Sequence, residues 1–181
     1  MRRVFVAITL DEVLRCHLAE LQEKIRPLLS KGRFTNPELL HLTIQFLGSL
    51  SDDQITKLID SQKSWITGIK AFDLQIIKTG LFIKRSKSIL WAGVKPNDQL
   101  YNMAEQIKGT MAMFGFQEDR PFRPHITLAR EAVFVDDQAM NTYKSISLRI
   151  PPMRIKKFEL MESKQEEGRL RYRSLSSVPF D

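Results

Sequence analysis

Apolar and polar residues alternate over positions 3–10, with Val4, Val6 and Ile8 on one face and Phe5, Ala7 and Thr9 on the other, which predicts a strand. At Asp11 the period lengthens. Leu14, His17, Leu18, Leu21 and Ile25 recur at steps of three and four, the buried stripe of a helix, and Pro27 ends it. His17 falls on or beside this stripe, so packing or an exposed edge accounts for it. A polar turn is expected at Ser30-Lys31-Gly32, followed by Asn36-Pro37-Glu38 and a strand over 40–47 that stops at Gly48. A helix is predicted over 51–65, with Ser51 as N-cap and Asp52-Asp53 at the positive end of its dipole. Strands are predicted next over 72–82 and 88–94. A second long helix runs from Pro96-Asn97-Asp98 to Phe114 on the stripe Leu100, Met103, Ile107 and Met111, with Gly115 suited to a left-handed C-cap. Beyond the basic loop Arg120-Pro121-Phe122-Arg123-Pro124 come a strand at His125 and two more over 156–161 and 169–176.

The order strand, helix, polar loop, strand occurs twice. Ala7 precedes His41 by 34 residues and Ala92 precedes His125 by 33, while the two histidines lie 84 apart in a chain of 181. This predicts an α/β (α+β) fold made of two related lobes about a pseudo-twofold axis, within a single domain spanning 1–181.

Composition narrows the setting. With 43% hydrophobic residues the chain can bury a substantial core. No stretch approaches the roughly 20 apolar residues that span a bilayer, and the N-terminal residues enter strand-like sequence without a signal-peptide pattern, so no membrane partner is expected. The single Cys16 forms no internal disulfide and is expected as a packed thiol on its helix. A reducing cytoplasm fits both. The net charge of +7 and a sequence pI of about 9.6 favour a polyanionic partner.

The chemistry lies in a signature that appears twice, His41-Leu42-Thr43-Ile44 and His125-Ile126-Thr127-Leu128, in a chain with three histidines. Nine threonines in 181 residues place Thr two positions after a given His about one time in twenty, so two occurrences are a poor match to chance. Strand alternation sends His41, Thr43 and Gln45 to one face and Leu42, Ile44 and Phe46 to the other. It likewise separates His125, Thr127 and Ala129 from Ile126, Leu128 and Arg130. Two imidazoles with ordinary pKa near 6.5 can hold opposite protonation states around neutrality, one as base and one as acid. In-line displacement at phosphorus requires that pair, with Thr43 and Thr127 bonding the non-bridging oxygens. A metal centre fits poorly: there is one Cys, no H-E-x-x-H, and no carboxylate in either signature. None of the eight glycines forms a phosphate-binding loop.

The chain resembles the two-histidine (2H) phosphoesterase superfamily, and within it the RNA 2′,3′-cyclic phosphodiesterase branch, also named 2′-5′ RNA ligases. The matching segments are Arg3-Val4-Phe5-Val6-Ala7-Ile8, Leu40-His41-Leu42-Thr43-Ile44-Gln45-Phe46-Leu47-Gly48, Leu90-Trp91-Ala92-Gly93-Val94 and Arg123-Pro124-His125-Ile126-Thr127-Leu128-Ala129-Arg130. The resemblance implies a bilobal fold with central antiparallel sheets and metal-independent opening of an RNA 2′,3′-cyclic phosphate to a 2′-phosphate, without a cofactor. By it His41 is the proton donor to the leaving 3′ oxygen and His125 the proton acceptor that activates water. Thr43 and Thr127 hold phosphate, in a monomer whose partner is an RNA or nucleotide with a cyclic phosphate end. The chain departs from the family pattern at Thr9-Leu10-Asp11, at Phe34 where the family has Trp, and at Gly168-Arg169-Leu170-Arg171-Tyr172, where Tyr172 stands as a possible substrate contact. Phe46 is a candidate to stack on a base and Arg130 to clamp phosphate, although alternation puts both on the face opposite the histidines, Phe46 in the core and Arg130 off the site unless the strand bulges. Alternative activities are 2′,5′ ligation or 2′,5′-phosphodiester cleavage at the same site, or RNA-end binding without chemistry.

Overall fold

A computed structural model describes residues 1–117 and 120–180. The N-terminal alternation forms β1 (Arg2–Thr9), and Asp11 caps the helix after it, its carboxylate accepting from the Leu14 backbone N–H at 2.8 Å. Helix α1 (Glu12–Ile25) buries Leu14, Leu18, Leu21 and Ile25, as its stripe predicts. Cys16 is exposed rather than packed. It stands two residues from Leu14 and from Leu18, about 200° around the helix from each, and so points away from the stripe. His17 sits at the stripe's edge, 3.8 Å from Glu20.

Ser51 caps α2 (Asp52–Ser61) in a capping box with Gln54, and a 3-10 turn takes up Gln62–Ser64 where one continuous helix was expected. Helix α3 (Asp98–Met113) is capped by the Asn97 side chain, and Gly115 comes after it at φ +85°. The expected turn at Ser30-Lys31-Gly32 is instead β2 (Leu29–Phe34), and α4 (Asp137–Lys144) was not foreseen. Neither carries a readable pattern, since β2 has no buried residue and α4 buries only Ala139 and Tyr143.

The signature strands are β3 (His41–Leu50) and β7 (His125–Phe134). The region expected as one strand over 72–82 divides into β4 (Phe72–Leu74) and β5 (Ile76–Lys84), and β6 (Lys87–Val94) pairs antiparallel with β5. Strand β4 pairs with β8 (Met153–Ile155) in a small separate sheet. Two long strands, β9 (Lys157–Glu166) and β10 (Arg169–Pro179), complete the main sheet.

The main sheet runs β10-β9-β1-β3-β7-β6-β5, with β2 beside β7. Its centre is the meeting of β3 and β7 through one antiparallel pair, Leu42 opposite Ile126. These residues hold the same place in the two signatures, so the pseudo-twofold axis passes between them. The register also corrects the repeat: Ala7 pairs with Thr43 and Trp91 with Thr127, so Trp91 rather than Ala92 is the counterpart of Ala7, and both lie 34 residues before their histidine.

One face of the sheet is covered by helices. Val4, Val6, Ile8, Leu42, Ile126 and Leu128 join the helical stripes in the main core. Helix α1 touches β7 and α3 touches β3, so each helix crosses to the signature strand of the other repeat. The opposite face carries a small cluster of Phe5, Ala7 and Met161 with Tyr172 against it, and there the sheet stays open around the histidines.

Candidate active site

His41 and His125 begin their strands, and each is oriented in the same way. The carbonyl two residues earlier accepts from Nδ1–H, Leu39 at 2.7 Å for His41 and Arg123 at 2.6 Å for His125. A carbonyl can only accept, so Nδ1 carries a proton in each ring and Nε2 is left for chemistry. In His41, Nε2 lies 2.9 Å from the Thr43 hydroxyl. His41, Thr43, His125 and Thr127 line one cleft of about 430 Å³.

The cleft also contains Phe46 and Arg130, which strict alternation put on the other face. The reason is a bulge at the same point of each signature strand. Val6 pairs with Gln45 and Ala7 with Thr43, so Ile44 is the extra residue of β3; Leu90 pairs with Ala129 and Trp91 with Thr127, so Leu128 is the extra residue of β7. A bulge reverses the parity of the residues that follow it, up to the next bulge in the strand. Gln45 and Ala129 therefore enter the core at 3% and 0% exposure, while Phe46, 59% exposed, and Arg130 come round to the histidine face. The Gln22 side chain from α1 donates to the bulged Leu128 carbonyl at 2.8 Å, and the Thr35 backbone N–H donates to it at 2.9 Å.

Each imidazole is flanked by two aromatic rings. Phe5 and Tyr172 stand with centroids 5.1 Å from that of His41, the tyrosine edge-on, and Phe82 and Trp91 lie 5.2 and 6.3 Å from His125. Phe5, Phe82 and Trp91 were not anticipated, although Phe5 shares the Thr9 face of β1 and Trp91 is the immediate neighbour of Ala92, the residue expected to mirror Ala7. Gly80 makes room for Trp91: a Cβ there would stand 2.1 Å from the indole ring. Phe34 lines the cleft too, its ring covered by the Arg26 guanidinium at 4.4 Å.

Burial pushes the His41 pKa below its ordinary value, and the charges of Arg130 and His125 push the same way against the opposing Leu39 hydrogen bond. Burial raises the Tyr172 phenol, with Arg130 and Arg3 opposing. Arg33, Arg130 and Arg169 line the cleft, and none of the three has a carboxylate partner among the described residues. A second cavity of about 480 Å³ shares Thr43, Phe46 and His125 with this cleft and has Phe82, Phe122, Lys108, Arg120 and Arg123 in its walls. Among the described residues no three His, Cys, Asp or Glu side chains gather to hold one metal ion, and no helix is long and apolar enough to cross a membrane.

The family model described as LigT like phosphoesterase matches residues 8–91 and 93–172. The RNA 2′,3′-cyclic phosphodiesterase of Escherichia coli is 29% identical over 185 residues, covering 96% of this chain and 94% of that protein. The RNA 2′,3′-cyclic phosphodiesterase of Methanothermobacter thermautotrophicus is 26% identical over 129 residues, 71% of this chain and 70% of its own length. The crystal structure of E. coli LigT complexed with 3′-AMP superposes with a TM-score of 0.77 at 27% identity, over 99% of this chain and 97% of that one.

Proposed function

The chain belongs to the LigT-like phosphoesterase family, and from that premise we propose that it hydrolyses RNA 2′,3′-cyclic phosphate ends to 2′-phosphates by acid–base catalysis between His41 and His125. The observation that carries this reading is the matched pair of Nδ1–carbonyl bonds, which turns both Nε2 atoms to proton transfer in one cleft, that of His41 beside the Thr43 hydroxyl. His125 Nε2 takes a proton from water as its oxygen attacks phosphorus. The P–O3′ bond breaks in line, and His41 delivers its proton to O3′. The product is a 2′-phosphomonoester with a free 3′ hydroxyl, and the proton has moved in effect from His41 to His125, to be restored through solvent. Water is the nucleophile, so no covalent enzyme intermediate forms.

Thr43 and Thr127 bond the non-bridging oxygens, Arg130 adds its planar fork to the same phosphate, and Phe46 and Tyr172 provide aromatic faces and edges for the terminal nucleoside. The depressed pKa of His41 fits a donor that is recharged by its own substrate. An arriving phosphate places negative charge beside Nε2 and engages Arg130, reversing one cause of the depression. Both imidazoles come from one chain, so a monomer suffices.

Turnover of a nucleoside 2′,3′-cyclic phosphate, followed by phosphorus NMR in the presence of a strong chelator, tests the proposal. A 2′-phosphate product formed at an undiminished rate is expected. A 3′-phosphate product would exchange the roles of the two histidines, and abolition by chelator would end the two-histidine mechanism.

A further inference from the structure

We propose that the tip of the β5–β6 hairpin is a binding track for the body of a single-stranded RNA whose cyclic phosphate end occupies the cleft, an inference that rests on the cyclic phosphodiesterase reading above. A cavity of about 440 Å³ lies against the catalytic cleft and shares Arg33 and Arg130 with it. Its remaining walls are the hairpin tip, Lys84-Arg85-Ser86-Lys87, together with Ser88, Ile89 and Glu131. All four residues of that tip are exposed.

Parity fixes which way the tip faces. Phe82 and Trp91 both stand against His125, and Lys84 and Lys87 are respectively two and four residues further along their strands, on the same face. The aromatic wall of the site thus continues outward into lysines. From Gly93, opposite His125, to Lys87 is six residues, about 20 Å at roughly 3.3 Å each. That is room for several nucleotides even when stacked at about 3.4 Å.

Like charges face one another at both ends of this track. Lys84 is directly opposite Lys87, and Arg33 is directly opposite Arg130. Such pairs repel across a sheet. The one carboxylate among the described residues at hand is Glu131, 3.7 Å from Lys87, which leaves four of the five cations without an acidic partner there. At the turn Arg85 holds φ +57°, a left-handed conformation that favours glycine, so a cation stands where glycine would be easier. A polyanion laid along the track relieves all of these repulsions together. A single strand fits the open, groove-like form better than an acidic protein surface, because the track leads into the cleft where an RNA end must lie.

The test compares two substrates, a nucleoside 2′,3′-cyclic phosphate and an eight-nucleotide RNA ending in the same cyclic phosphate, on the full chain and on the triple variant Lys84→Ala, Arg85→Ala, Lys87→Ala. The wild-type protein is expected to prefer the oligomer in kcat/KM at low salt, and the variant to lose that preference while turning over the mononucleotide as before. Three lost contacts at a slope of about 0.7 each on a single strand predict that raising salt from about 50 to 200 mM erodes the wild-type oligomer rate roughly 20-fold more than the variant's. The mononucleotide rate reports folding and the integrity of the cleft. If neither protein turns over the mononucleotide, the cyclic phosphodiesterase reading fails first. If both turn it over and the oligomer shows no advantage, or an advantage the variant keeps, the track is overturned and its charge belongs to another partner, such as an acidic protein.

Discussion

A histidine with one ring nitrogen tied to a carbonyl has a single nitrogen left to give or take a proton, and here two such rings share one cleft. Proton transfer by a positioned side chain contributes about 10²–10⁴-fold, so His41→Ala and His125→Ala should each lose at least that much in kcat. His17→Ala, on the outer edge of α1, should stay within a few-fold of wild type. In the proposed mechanism the threonines hydrogen-bond a charged phosphate, each bond worth roughly 1.5–3 kcal/mol, so Thr43→Ala and Thr127→Ala should fall between these limits. A normal rate in a folded His41 or His125 variant would reduce the repeat to a structural device. Burial, Arg130 and His125 all lower His41, which makes a direct titration informative. Carbon or nitrogen NMR of labelled imidazoles should place His41 below the ordinary value near 6.5, and saturating 2′-AMP should move it upward. An upward-shifted free His41, or one indifferent to the nucleotide, would remove the case for a donor recharged by its substrate.

The elements differ in how far the sequence disclosed them. Strong stripes such as Leu14, Leu18, Leu21 and Ile25 gave α1 its buried face, and Asp11, Ser51 and Asn97 cap the helices they precede. The short exposed β2 and the polar α4 had no periodicity to read. The histidines and threonines were legible because two residues of one strand keep their parity over two positions. Phe46 and Arg130 were not, because the bulges at Ile44 and Leu128 depend on partners distant in the chain, among them Gln22 bonding the Leu128 carbonyl. Glycines separate packing from propensity at this scale. Gly80→Ala would drive a methyl into Trp91, and overpacking of this kind costs about 1–3 kcal/mol; because Trp91 flanks His125, kcat should fall as well as the melting temperature. Gly109, within α3, has nothing within 4 Å of an added Cβ, so Gly109→Ala should stabilise by about 0.5–1 kcal/mol with activity unchanged. Thermal melts and initial rates of the two variants check the pair, and equal effects would mean that Trp91 is free to move.

On the scale of the whole molecule, three groups with lowered pKa values, His41, Glu159 and Glu162, set how folding responds to acid, and they act in one direction. Burial lowers the folded pKa of His41, so between its ordinary value near 6.5 and that lower value the unfolded chain binds more protons and stability falls as pH falls. Glu162, buried at the β1–β9 pairing, accepts both Arg2 Nε–H and Nη2–H at 2.8 Å, and these bonds hold it below the usual carboxylate range. Burial works to raise Glu159, but hydrogen bonds from Thr9, Lys157 and Ser174 outweigh it and leave this carboxylate lowered too. A lowered carboxylate contributes stability above its unfolded pKa near 4.3 and loses it as pH drops through the folded value. The melting temperature, measured in phosphate-free buffer so that the cleft stays empty, should therefore decline in two stages on acidification, one below about 6.5 and one below about 4.3. The +7 charge adds self-repulsion as carboxylates are neutralised, so variants are needed to separate the contributions. His41→Gln should flatten the upper stage and leave the lower one, and Glu162→Gln should weaken the lower stage alone while lowering stability at neutral pH, where its ion pair with Arg2 is lost. An upper stage that survives His41→Gln would place the responsible proton elsewhere, and with it the burial of the His41 imidazole would cease to be what this fold holds against its own stability.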